Sequence, residues 1–151
     1  MTPLKARMLR QIARSGPIPL PDYWAQCLFD PEHGYYTTGY PIGAEGDFIT
    51  APEVSQMFGE VIAAWWLATV RQNGLRDIAL VEIGPGRGTL MFDMLRTLGK
   101  LAPELKETMS VHMVEVSPRL TGLQREKRAG SGVRINCHQS LETLPIMPIG
   151  I

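Results

Sequence analysis

A chain of 151 residues with 44% hydrophobic content is long enough to bury a core and has the usual size of one domain. Its 15 Lys and Arg balance 15 Asp and Glu, so no basic surplus marks a nucleic-acid binder. The two cysteines, Cys27 and Cys137, form no C-x-x-C pair, and no apolar run reaches the roughly 18 residues needed to span a membrane; a soluble protein of a reducing, cytoplasmic-type compartment without a metal is expected.

The first fifteen residues, MTPLKARMLRQIARS, place Leu4, Met8 and Ile12 on one helical face and carry four basic residues without an acid. That composition overlaps with a mitochondrial transit peptide, but Thr2-Pro3 is also an ordinary helix start and Gly16 an ordinary stop, so a docked first helix is expected. A second helical stretch begins at Pro21-Asp22 and closes at Asp30-Pro31. Tyr23, Trp24, Phe29, Tyr35, Tyr36 and Tyr40 make this leading region too aromatic for a disordered linker.

TAPEVSQMFGEVIAAWWLATVRQNG then predicts one long helix, opened by a Thr50/Glu53 capping box with Pro52 in its first turn and stopped at Gly74. Apolar residues at Val54, Met57, Phe58, Val61, Ile62, Trp65, Ala68 and Thr69 recur with a helical period, which predicts that this face is the core face and that Trp65 and Trp66 serve packing.

Residues 78–83, IALVEI, read as a buried strand and run through a glycine loop into the helix TLMFDMLRTLGKL. SVHMVEV is a second strand, SPRLTGLQREKRAG a second helix, and VRINCH a third strand. Strands alternating with helices predict a parallel βαβαβ unit, half of a doubly wound Rossmann-like α/β sheet. The chain accordingly divides into a leading helical region, residues 1–76, and a sheet region, residues 77–151.

The loop itself, EIGPGRGT, brings backbone amides against a ligand at a helix N-terminus. Gly84, Gly86 and Gly88 are spaced G-x-G-x-G, which fails the G-x-G-x-x-G dinucleotide fingerprint in either register, and no Walker lysine follows. Glu115, at the end of the second strand, suits paired ribose hydroxyls. With Glu82 just before the loop, carboxylates outnumber anything that would hold phosphate. An adenosyl ligand with a cationic end, S-adenosylmethionine, fits better than a nucleotide.

Three stretches in order, GYYTTGYPIGAEGDFITAPEVSQMFGEVIAAWW, LVEIGPGRGTLMFDMLR and SVHMVEVSPRL, make the chain resemble the MidA-type class I methyltransferases, a bacterial and mitochondrial family. GPIPLPDYWAQCLFDPEHGYY is similar to that family's N-terminal region. The resemblance implies that Glu82, Gly84, Pro85, Gly86, Gly88, Glu115 and Val116 serve S-adenosyl-L-methionine. It implies that the GDFITAPEVSQ segment folds over the site. It further implies a protein-arginine acceptor linked to respiratory complex I assembly, as for the family's mitochondrial member, and so a mitochondrial matrix location as the alternative to a cytoplasmic one. A guanidinium acceptor calls for a carboxylate, which points to Asp47 or Glu53 as catalytic. Glu53 is already explained by the capping box, whereas Asp47 has no structural explanation in the sequence.

The family's sequences run on into a fourth strand and a second half of the sheet, whereas the present sequence stops at TLPIMPIGI. The first strand is therefore expected to keep a bare edge and the fold to be marginal. A non-catalytic donor- or protein-binding assembly module stands as the alternative to an enzyme. Nothing in the residues fixes the oligomeric state.

Overall fold

Short-range signals at the start of the chain act as the sequence predicts. The computed structural model describes residues 1–39, 43, 46–128, 132–145 and 149–150. Helix α1 (Pro3–Ser15) begins where the Thr2 hydroxyl accepts the Lys5 amide at 3.3 Å and ends at Gly16, whose φ of 81° lies in the left-handed region. Helix α2 (Leu20–Phe29) stops at Asp30, whose carboxylate accepts the Glu32 and His33 amides at 3.1 and 2.9 Å and pairs with Arg7 of α1. A one-turn helix, α3 (Tyr35–Thr38), follows. The Phe29 and Tyr36 rings stack at 5.8 Å, and Tyr35 meets the edges of Tyr36 and Phe48. Tyr23 and Trp24 stay exposed, and Tyr40 lies outside the described residues.

The long helix expected from residue 50 onward is two. Helix α4 (Ala51–Val54) ends at Ser55, which is extended (φ −153°, ψ 129°), and helix α5 (Gln56–Gln72) begins there. The Thr50 side chain makes no capping bond; the cap belongs to Ser55, whose hydroxyl accepts the Met57 amide at 3.2 Å. The capping box read at Thr50 and Glu53 is therefore corrected, and Glu53 is freed for contacts described below. An N-cap Ser→Ala change typically costs about 1 kcal/mol. Ser55→Ala should lower stability by about that amount while Thr50→Ala leaves it nearly unchanged, as urea titrations of both variants would read.

The core face of α5 is also corrected. Its buried line is Gly59, Ala63, Trp66, Leu67 and Val70, whereas Val54, Met57, Phe58, Val61 and Trp65 are exposed. Gly59 explains the phase: a Cβ there would stand 2.6 Å from the Cβ of Asp93, so α5 presses its small residues against α6 (Thr89–Leu101). Because α5 is apolar nearly all round, the period alone does not say which side faces inward. Trp66, at 2% exposure, packs as expected; Trp65 does not.

The sheet has four parallel strands in the order β3-β2-β1-β4: β1 (Ala79–Ile83), β2 (Ser110–Val114), β3 (Ile135–His138) and β4 (Ile149–Gly150). Short helix α7 (Leu105–Thr108) leads into β2, α8 (Pro118–Arg128) links β2 to β3, and a 3-10 turn spans Leu141–Thr143. Leu80 pairs in register with Val111, and Val111 with Ile135. These residues join Met113 and the inward sides of α5 and α6 in one core containing Trp66, Leu67, Met91, Met94, Leu95 and Leu98. The expected bare edge of β1 is corrected at its first two residues only, where Ala79 and Leu80 pair with Ile149 and Gly150; among the described residues no strand pairs with residues 81–83 on that side. After β3 the chain crosses to the far side of β1, so the strand order reverses beside β1. In open α/β sheets that reversal places a ligand crevice outside the carboxyl ends of the strands.

Candidate active site

The carboxyl end of β1 runs straight into that crevice. Ile83 is 67% exposed, and the chain then turns through Gly84, Gly86 and Gly88 at φ values of 67°, 56° and 76°. All three lie in the left-handed region, which L side chains adopt only under strain, so the alternating glycines are a backbone requirement. The Gly84 amide donates to the Val114 carbonyl at 2.9 Å, and the Gly88 amide closes the turn on the Pro85 carbonyl at 2.7 Å. A Cβ on Gly88 would meet the Phe92 ring at 2.7 Å, while one on Gly84 would meet nothing within 4 Å. Gly88 is packed shut; Gly84 faces open space. Gly88 begins α6 with no side chain of its own to cap it, so the first-turn amides face the loop, the Met91 amide toward the Glu82 carboxylate.

Three side chains from different elements hold the loop. Gln124 of α8, 1% exposed, donates to the Gly86 carbonyl at 2.7 Å. Glu115, one residue past β2 and 7% exposed, accepts the Ser117 amide at 2.8 Å and the amides of Gly86 and Val116 as well. Its pKa is raised because burial penalises the charge, with those three amides pulling the other way. Glu115 is therefore a buried acid and not a solvated one at a strand end. Glu53 of α4 accepts the Thr89 hydroxyl and lies 3.9 Å from the Arg87 guanidinium.

Two hollows flank the loop and share Gly84 and Gly86. The larger, about 470 Å³, is lined by Ile83, Val114, Glu115, Val116, Leu120, Phe29, Tyr36 and the Gln139–Leu141 turn. The smaller, about 210 Å³, is lined by Thr50, Pro52, Glu53, Glu82, Pro85, Arg87, Thr89 and Leu90. Glu82 is a half-buried acid of this second hollow. One of its oxygens has no partner, and its pKa is pushed up to about 7 by desolvation, against the opposing pull of the Met91 amide in the first turn of α6. A groove of about 710 Å³ between α1 and α2 is larger than either but contains no acidic side chain and no part of the glycine loop.

The structure thus brings together Glu82, Gly84, Pro85, Gly86, Gly88, Glu115 and Val116, with Glu53 beside them. Asp47 lines neither hollow; it is exposed and accepts the Tyr35 hydroxyl at 2.5 Å, a bond that pushes the Tyr35 pKa up to about 12. The structural partner that the sequence did not reveal is therefore Tyr35. Phe29, Tyr36, Leu120, Gln139, Ser140 and Leu141 line the larger hollow without having been singled out. The rule that ligands sit at strand carboxyl ends would have found the turn after β3. Phe29 and Tyr36 carry no such signal, because only the tertiary fold stacks them over the loop.

Comparison with known proteins agrees with this geometry. Residues 58–151 match the model of a family described as "Putative S-adenosyl-L-methionine-dependent methyltransferase". The mitochondrial protein arginine methyltransferase NDUFAF7 of Danio rerio is 44% identical over 80% of this chain and 29% of its own length. The Homo sapiens protein of that name is 36% identical over 96% of this chain and 38% of its own length. A solved structure of a COG1565 superfamily member from Burkholderia thailandensis, bound to S-adenosyl-homocysteine, superposes with a TM-score of 0.74 at 30% identity. It is matched over 91% of this chain and 37% of that one. The chain spans less than two fifths of the length of each of these relatives. With the matched region running from α5 through the glycine loop to the end of the sheet, the chain belongs to this S-adenosyl-L-methionine-dependent methyltransferase family.

Proposed function

We propose that the crevice holds S-adenosyl-L-methionine and that the protein of which this fold is part transfers its methyl group to a protein arginine. The observation that carries the reading is the pair of carboxylates on opposite sides of one glycine loop, Glu115 in the larger hollow and Glu82 in the smaller. An adenosyl amino acid has the same division: a neutral nucleoside at one end and an ammonium at the other. Glu115 would accept the two ribose hydroxyls with Val116, Ile83 and Leu141 against the base, and Gly84 leaves the backbone open to close approach. Glu82, with one oxygen unpartnered, would take the ammonium, while the left-handed turns at Gly84 and Gly86 and the start of α6 after Gly88 receive the carboxylate.

When bound, the donor supplies an electrophilic methyl on a sulfonium; the protein's part is to align the acceptor and to exclude water. For a guanidinium acceptor the exposed carboxylate of Asp47, which accepts the Tyr35 hydroxyl and lies outside both hollows, is the proposed partner of the incoming cation. The residues of region 1–76 that line the two hollows, Phe29, Tyr36, Thr50, Pro52 and Glu53, make it a cover for the donor-binding region 77–151. The names of the curated relatives support an arginine acceptor and a mitochondrial over a cytoplasmic location, and on that reading a respiratory complex I subunit is the proposed substrate. No helix among the described residues is long and apolar enough to cross a membrane.

Incubation with methyl-labelled S-adenosylmethionine and an arginine-rich protein mixture, followed by acid hydrolysis, tests the reaction. Label recovered as methylarginine is the expected result. Label in another amino acid would overturn the arginine acceptor, and donor binding without any transfer would favour the assembly-module reading for this chain.

A further inference from the structure

Glu53 reaches the glycine loop from α4, 36 residues before the Thr89 hydroxyl that it accepts at the start of α6. Its other carboxylate oxygen lies 3.9 Å from Arg87, within the loop, and its side chain is only 16% exposed. Arg87 also leans on Gly43, where a Cβ would stand 2.7 Å from its guanidinium. Two points of the segment that precedes α5 thus converge on the loop. One Glu53 oxygen accepts the Thr89 hydroxyl and the other faces the Arg87 guanidinium, so both of its described side-chain contacts go to the loop and the start of α6.

We propose that Glu53 is a positioning residue: it clasps α4 to the loop and fixes the backbone from Gly84 to Thr89 where the amino-acid end of the donor lies. The inference rests on the donor reading above and adds to it a residue that touches the loop but not the reacting atoms. The Thr89 bond carries the clasp, because a part-buried hydroxyl bond to a carboxylate outweighs a solvent-screened pair with half-exposed Arg87.

Calorimetry of this chain with two probes tests it. S-adenosylhomocysteine carries the amino-acid head, and 5′-methylthioadenosine has the same adenosine part without it. Glu53→Ala is expected to weaken S-adenosylhomocysteine binding about tenfold while leaving methylthioadenosine within about twofold. Glu53→Gln, whose amide oxygen still accepts from Thr89, should recover most of the loss. Thr89→Val should match Glu53→Ala, and the double variant should be no weaker than either single one. If Glu53→Ala fails to fold, Thr89→Val, which exchanges a hydroxyl for a methyl, carries the same comparison. A variant that binds S-adenosylhomocysteine as tightly as the wild type, or that loses both probes alike, overturns the clasp. A wild-type chain that binds neither probe overturns the donor reading, and the clasp with it.

Discussion

Glu82→Gln is expected to abolish the pH dependence of donor binding and, at the same time, to stabilise the unliganded protein in mildly alkaline solution. Burial raises the Glu82 pKa to about 7, so below neutrality the carboxyl is mostly protonated and offers no charge to an ammonium. Seating the ligand's ammonium on Glu82 must then expel that proton. Wild-type affinity for S-adenosylhomocysteine should rise about tenfold from pH 6 to pH 8, and the glutamine variant should be flat over that range and weaker at its upper end.

The stability effect has the opposite sign. An acid whose folded pKa lies above its unfolded value contributes stability that is fully present below the unfolded value and is lost as pH rises through the folded one. For Glu82 that window runs from the ordinary glutamate value near 4.5 up to about 7. Glutamine has no charge to desolvate, so the unliganded variant should be more stable than wild type at pH 8 by roughly 1–3 kcal/mol and indistinguishable near pH 4. Urea titrations at the two pH values, paired with calorimetry, read both halves of the expectation. A variant with unchanged stability at pH 8 would mean that Glu82 is solvated in solution.

The second large effect is expected at Glu115. This carboxylate accepts loop and strand-end amides and also lines the larger hollow, so its removal takes away a support of Gly86 together with the proposed ribose acceptor. Hydrogen bonds to a charged group contribute about 1.5–3 kcal/mol each, and Glu115→Ala should weaken S-adenosylhomocysteine on the order of 100-fold. Glu115→Gln keeps one accepting oxygen and should fall between the two, at about tenfold. Because adenosine lacks the amino-acid head, the alanine variant should lose it as well, whereas Glu82→Gln should retain it. That contrast separates the two hollows by chemistry. If both variants lost both ligands equally, the division of the site would be wrong.

What the sequence conveys about this fold depends on how local the determining interaction is. The glycine loop was legible because its requirement is a backbone one, three left-handed positions between a strand and a helix, and α6 occupies the span its apolar period marked. The place of Glu115 beside the loop was legible because a residue at the end of the next parallel strand comes to lie next to it. The inward face of α5 was not legible. Apolar residues populate both of its sides, and the choice was made by how closely Gly59 and Ala63 let it approach α6. Thr50 and Ser55 show the same limit at shorter range: both are good caps, and the break in the helix decides which one acts. Glu53 looked like a capping partner because its actual partners, Thr89 and Arg87, are remote in sequence. Gln139, Ser140 and Leu141 belong to the crevice through the position of β3 in the strand order.

That the glycine loop and the ends of β1 and β2 form the donor site can be read from amide chemical shifts during a titration with S-adenosylhomocysteine. The predicted result is saturable shifts concentrated at Gly84, Gly86, Gly88, Glu115 and Val116, extending to Gln139 and Ser140 and leaving α1 untouched. Shifts confined to the groove between α1 and α2, or none at ligand concentrations that saturate the solved relative's kind of site, would contradict it.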